Sequence, residues 1–165
     1  RDYMIDQAIN LFKKNNIEFD LVAGGETAGI PYAAFISDRI KKPMLYVRKK
    51  PKGFGKNQQI EGEFKKKQKA ILIEDLATDG GSKVIFVKAM RNAGLIIKDI
   101  FVIFYYDIFN FEDTTLSKLD VKIHSLCTWK DIISVIEKRN LYNKSDINNL
   151  KQFLSDPNGW REDNA

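Results

Sequence analysis

Apolar positions fall into two alternating rhythms along the chain. Met4, Ile5, Ala8, Ile9, Leu11 and Phe12 recur at helical spacing behind Asp2, which suits a helix N-cap. Phe19 to Ala23 is a short apolar run ending in Gly24-Gly25, which predicts a strand running into a tight loop. Helical period returns from Ile30 to Ile40, with Pro31 suited to a first turn. Met44 to Val47 predicts the next strand, and Lys49 to Gly62, rich in glycine and charge, predicts a long mobile loop. Ala70 to Ile73 predicts a strand that delivers Glu74-Asp75 to its end. A helix follows from about Ser82 to Ala93, closed by Gly94. Asp99 to Tyr106 and Val121 to Leu126 predict two further strands. Thr128 then caps a helix beginning at Trp129, with Asp131 at the capping-box position, and Ser145 opens a last helix ending before Pro157. The tail after Gly159 is polar and expected to be loose.

Strands alternate with helices and are apolar on both faces, the pattern of a parallel sheet covered by helices. A length of 165 residues suits one domain able to bury a sizeable core, and no linker or internal repeat divides it. The longest apolar run, Ile100 to Tyr106, is too short to span a bilayer, and no signal peptide is visible. Cys127 is the only cysteine, so a reducing, cytoplasmic home is expected. The first residue is Arg1, and an N-terminal part is expected to be missing.

Charge changes this picture locally. Between Arg48 and Lys69 there are nine Lys or Arg against two acids, Glu61 and Glu63, leaving +7 there and −2 elsewhere in a chain of net +5. So local an excess points to one polyanion site rather than to a nucleic-acid coat, and no helix-turn-helix is apparent. Charge alone leaves a solvated lysine-rich loop equally open.

Ligands of open α/β sheets bind beyond the carboxyl ends of the strands. One such end reads Glu74-Asp75-Leu76-Ala77-Thr78-Asp79-Gly80-Gly81-Ser82. Two acids suit ribose hydroxyls. A glycine-containing turn entering a helix suits a phosphate, with hydroxyls from Thr78 and Ser82. The segment is neither a P-loop nor GxGxxG; a capped strand-to-helix turn with solvated acids is the bland alternative. Arg48, Lys49 and Lys52 alternate with Pro51 and Gly53 in a loop able to close over a pyrophosphate. Gly24-Gly25-Glu26-Thr27-Ala28-Gly29-Ile30-Pro31 is a third glycine-rich turn, weak evidence when taken alone.

Together, from about Phe19 to Leu126, these segments resemble the type I phosphoribosyltransferases, and the basic loop resembles that of the members acting on orotate. The resemblance implies a Rossmann-like α/β fold with a mostly parallel five-stranded sheet flanked by helices, and transfer of 5-phosphoribosyl from phosphoribosyl pyrophosphate to orotate with Mg2+. It implies that Glu74 and Asp75 hold the ribose hydroxyls and fix the sugar while the anomeric carbon moves, with Asp75 counted as catalytic. Thr78, Asp79, Gly80, Gly81 and Ser82 wrap the 5′-phosphate, and Leu76 and Ala77 belong to the same ribose-phosphate site. Gly25, Glu26, Thr27, Ala28, Arg48 and Lys49 meet pyrophosphate, and Lys52 is the mobile catalytic cation. Magnesium is held through substrate and water, with no direct protein ligand. A homodimer is implied, its Lys52 loops reaching across to the neighbouring site. The domain, residues 1–165, is expected to lack an N-terminal base-binding region. Members commonly carry Thr, His and Lys where this chain has Asp79, Phe54 and Ala28, and an arginine where it reads Tyr105-Tyr106-Asp107-Ile108-Phe109. A transferase for another nucleobase, or a non-enzymatic phosphoribosyl pyrophosphate sensor, stays open beside this reading. His124 reads as a strand residue, Cys127 as a buried thiol, and Trp129 and Trp160 as packing residues. No His/Cys cluster suggests zinc.

Overall fold

The computed structural model describes residues 1–52, 58–78, 80–157 and 159. The helices are α1 (Asp2–Lys14), α2 (Gly29–Ile40), α3 (Gly81–Asn92), α4 (Trp129–Arg139) and α5 (Lys144–Ser155). The strands are β1 (Leu21–Gly25), β2 (Met44–Val47), β3 (Ile60–Glu61), β4 (Ala70–Ala77), β5 (Asp99–Tyr105) and β6 (Lys122–Thr128). They form one six-stranded sheet in the order β3-β2-β1-β4-β5-β6. The five strands expected from sequence are all parallel, and β3 adds a sixth, antiparallel to β2 through Tyr46↔Glu61 and Val47↔Ile60. Its two residues carry no alternation of their own, so only the tertiary pairing reveals it.

Strand residues alternate between faces. Leu21, Ala23, Leu45, Leu72, Ile100 and Val102 pack with Phe86, Val87 and Met90 of α3. On the opposite face Val22, Ile71, Ile73 and Phe101 pack with Ile5, Ala8 and Phe12 of α1 and Ala33 and Ile36 of α2. Phe12 meets both Phe19 and Phe101 edge-on. α4 leaves β6 through a complete capping box between Thr128 and Asp131, and Trp129 stacks edge-on against Phe104 and Tyr106.

Several boundaries differ from the sequence reading. Arg1, not Asp2, is the N-cap of α1, and Asp2 lies in the first turn, where its charge favours the positive end of the helix. β1 extends through Gly24 and Gly25 instead of ending before them. β4 continues to Ala77, so Glu74 and Asp75 lie within the strand, because its backbone goes on pairing with β5 as far as Ala77↔Tyr105. The last helix opens at Lys144 behind Asn143, whose side chain accepts from the Asp146 amide. Cys127 is half-buried rather than buried. His124 is a strand residue on β6, its Nε2 2.8 Å from Asp99 Oδ1. The expected loose tail from 160 onward, including Trp160, lies outside the described residues. No helix among the described residues is long and apolar enough to cross a membrane.

Candidate functional site

The chain crosses from one side of the sheet to the other between β1 and β4, which lie side by side. The carboxyl ends at such a switch point flank a ready-made crevice. The turn after β1, containing Glu26, Thr27 and Ala28, therefore sits beside the segment leaving β4 for α3.

The two acids of β4 part company because successive strand residues face opposite sides. Asp75 is half-buried. Glu74 turns toward α3 and is 4% exposed, with its Oε2 3.0 Å from Nζ of Lys83. Burial pushes the Glu74 carboxyl above its ordinary range, while the Lys83 ammonium, and more distantly Lys49, draw it back. The turn after β1 lies directly against this carboxylate. A side chain at Gly25 would overlap Glu74 and come within 2.8 Å of the Phe86 ring, and one at Gly29 would overlap the same carboxylate. Glycine is required there by close approach.

At the end of β4, Leu76 is 38% exposed and Ala77 is buried; Thr78, the next residue, is half-buried. Gly80 precedes α3 with φ of 81°, a left-handed conformation natural to glycine. Its carbonyl accepts from the Lys83 and Val84 amides, so the helix begins at once, and Gly81 and Ser82 form the amino end, where the dipole favours anions. Asp79 lies outside the described residues, as do Gly53 and Phe54.

Glu26 ties the turn after β1 to the basic segment after β2. Its Oε2 accepts from the Lys49 amide at 2.7 Å, its Oε1 accepts from the Tyr46 hydroxyl at 3.0 Å, and its own amide donates to the Val47 carbonyl at 2.9 Å. The Lys49 amide, then the Tyr46 hydroxyl, hold the Glu26 carboxyl below its ordinary range. The Glu26–Thr27 peptide is cis. Arg48 and Lys52 turn instead to the β3 side. Arg48 donates to Glu61 Oε1 through Nε at 2.9 Å and Nη2 at 2.5 Å, and its guanidinium lies over the Tyr46 ring. Lys52 Nζ lies 3.4 Å from the same oxygen. The β2–β3 register extends outward through Arg48 to Gln59 and Lys52 to Gln58. The root of the expected loop is thus a hydrogen-bonded ribbon.

The fold brings Gly25, Gly29 and Glu74 into contact and ties Glu26 to Lys49, while Arg48 and Lys52 gather on Glu61. Three participants are absent from the sequence reading: Lys83, Tyr46 and Glu61 as a counter-ion. The sequence itself carries a signal for Lys83. This residue falls on the stripe of Phe86, Val87 and Met90, and a charge on a buried stripe requires a buried partner.

A sheet of this order with these loops at its switch point has the phosphoribosyltransferase fold. The orotate phosphoribosyltransferase of Aeropyrum pernix superposes with a TM-score of 0.71 and 25% identity, over 86% of this chain and 77% of its own. A Leishmania donovani UMP synthase matches 92% of this chain with 32% of its own, at a TM-score of 0.72 and 27% identity. No family model matches the chain. Among curated proteins, the orotate phosphoribosyltransferase of Roseobacter denitrificans is 47% identical over 88% of this chain and 65% of its own length. That of Ruegeria is 44% identical over 95% and 70%. The chain belongs to the orotate phosphoribosyltransferase family. It spans about two thirds of the length of these curated relatives, 65% and 70% in the two cases.

Proposed function

We propose that this chain transfers a 5-phosphoribosyl group from phosphoribosyl pyrophosphate to orotate, giving orotidine 5′-monophosphate and pyrophosphate, a step of UMP biosynthesis. The observation that carries the reading is the meeting of the Gly25–Gly29 turn with the acidic end of β4 at the switch point, together with relatives named for this reaction.

In this reaction the bond from the anomeric carbon to the pyrophosphate oxygen breaks, and pyrophosphate leaves with the electron pair. A bond to the orotate ring nitrogen forms. Positive charge grows on the sugar and negative charge on the leaving group. Asp75 and Glu74 accept from the ribose hydroxyls and fix the sugar while the anomeric carbon moves. The segment from Leu76 through Thr78 and Asp79 to Gly80, Gly81 and Ser82 wraps the 5′-phosphate at the amino end of α3. Gly25, Glu26, Thr27 and Ala28 line the pyrophosphate. Arg48 and Lys49 offset its charge, and Lys52 moves in as the catalytic cation.

Among the described residues no group of three or more His, Cys, Asp or Glu is placed to hold a metal. A magnesium ion carried by the oxygens of the substrate and by water needs no such cage. When bound, it neutralises charge on the pyrophosphate. The active form is a homodimer in which the Lys52 loop of one subunit completes the neighbouring site, and its compartment is the cytoplasm.

Pyrophosphate release tests the reading. Magnesium and phosphoribosyl pyrophosphate are supplied with orotate, adenine, guanine or uracil in turn. Release with orotate alone is expected. Release with a different base would move the chain to another substrate class, and saturable binding without release with any base would make it a sensor.

A further inference from the structure

Lys83 is the third residue of α3 and shares its buried stripe with Phe86, Val87 and Met90. It is 5% exposed, with Nζ 3.0 Å from Glu74 Oε2 and 3.2 Å from Ser82 Oγ. Two charges taken out of water survive only facing each other, so neither can be understood alone. The other carboxylate oxygen of Glu74, Oε1, lies against Gly25 and Gly29. Glu74 is therefore held on three sides: by its own strand pairing opposite Val102, by the turn after β1, and by the ammonium from α3.

We propose that Lys83 is a positioning residue that acts through Glu74, keeping the carboxylate ionised and fixed beneath the Gly25–Gly29 turn as an acceptor for the hydroxyls of a bound phosphosugar. This rests on the reading that phosphoribosyl pyrophosphate binds at the switch point. It adds a role for a residue outside the acid pair and the phosphate turn, and it links α3, whose amino end faces the 5′-phosphate, to the acid that faces the sugar.

Among the described residues, few charged groups surround Glu74. Lys83 faces it from α3, Asp75 neighbours it on β4, and Lys49 acts on it from the segment after β2. The turn after β1 brings Glu26, already engaged by the Lys49 amide and the Tyr46 hydroxyl, and β5 opposes it with the uncharged Val102. Burial favours the protonated acid, and Lys83 is the principal opposing influence. Without Lys83 the carboxyl takes up a proton closer to neutral pH. Hydroxyl donors prefer the ionised form, so ligand binding then expels that proton.

Calorimetric titration of the full chain with magnesium and phosphoribosyl pyrophosphate, near neutral pH in two buffers of different ionisation enthalpy, reads this directly. Lys83→Met is expected to release up to about one proton per site more than the parent on binding. The extra proton is expected to vanish in Glu74→Gln/Lys83→Met. A folded Lys83→Met with the parent's proton count and affinity overturns the proposal while leaving the ligand reading intact. If Lys83→Met does not fold, the double variant, which buries no lone charge, decides. Binding at least about tenfold weaker than the parent is expected from loss of the charged acceptor, and parental affinity overturns the role. Failure of the parent itself to take up phosphoribosyl pyrophosphate overturns the ligand reading, and this proposal with it.

Discussion

Arg48 Nη2 lies 2.5 Å from Glu61 Oε1 across the root of the β2–β3 ribbon, and Lys52 approaches the same oxygen at 3.4 Å. One carboxylate oxygen thus holds two of the cations proposed to meet pyrophosphate, and it does so just beyond the Tyr46↔Glu61 pairing of the strands. On the proposed reading, an arriving pyrophosphate has to outcompete Glu61 for both.

Glu61→Gln removes that competition. The ion pair is partly solvated, with Arg48 at 25% and Glu61 at 40% side-chain exposure, so the effect is modest. Affinity for magnesium phosphoribosyl pyrophosphate is expected to rise roughly two- to fivefold at low salt and to converge on the parent as salt screens the pair. Calorimetric titration at two ionic strengths checks it, and weaker binding in the variant would show that Glu61 supports the bound state instead.

Lys52→Ala separates binding from chemistry. A cation needed chiefly as charge leaves with pyrophosphate is expected to lower kcat by about 100- to 1000-fold while changing the affinity for phosphoribosyl pyrophosphate far less. Steady-state kinetics beside calorimetry provide the two numbers, and equal turnover in variant and parent would remove Lys52 from the mechanism.

Gly25→Ala tests the close approach of the turn to β4. The added methyl meets the Glu74 carboxylate and the Phe86 ring, both buried with little room to yield. Overpacking of this kind costs about 1–3 kcal/mol. Urea unfolding is expected to show that loss, and unchanged stability would mean that Glu74 is free to move aside.

Thr128→Ala removes one half of the capping box of α4, for a loss of about 1 kcal/mol. The Thr128 hydroxyl and amide both donate to Asp131 Oδ2, at 2.7 and 2.8 Å, and hold that carboxyl below its ordinary value of 3.8. A carboxyl depressed in the folded state adds stability that is present above its unfolded pKa and lost as pH falls through the lower, folded one. The difference in stability between parent and variant is therefore expected to be full at neutral pH and to narrow below about 3.8. Thermal melts across that range check the sign.

Much of the sheet was legible because burial on both faces writes itself into β-branched and apolar runs such as Ile71-Leu72-Ile73 and Ile100-Phe101-Val102. What escaped depends on contacts made across the fold. Gly24 and Gly25 read as a break, yet they continue β1 because α2 on one side and Glu74 on the other leave no room for side chains. Glu74 and Asp75 read as the end of a strand, since acids interrupt an apolar run; a buried Lys83 and continued pairing with β5 carry the strand past them. The tie from Glu26 to the Lys49 amide exists only once β1 and β2 lie side by side, and no local pattern announces it. The three segments singled out from sequence do lie at the carboxyl ends of β1, β2 and β4, because a parallel sheet sends all those ends the same way.

Function here depends on one ligand meeting one crevice. Titration of the folded chain with phosphoribosyl pyrophosphate in the presence of magnesium is predicted to give saturable heat at one site per chain, weakened about tenfold or more by Asp75→Asn through loss of a charged acceptor. Absence of saturable heat from a chain that melts cooperatively, or binding indifferent to Asp75, would contradict it.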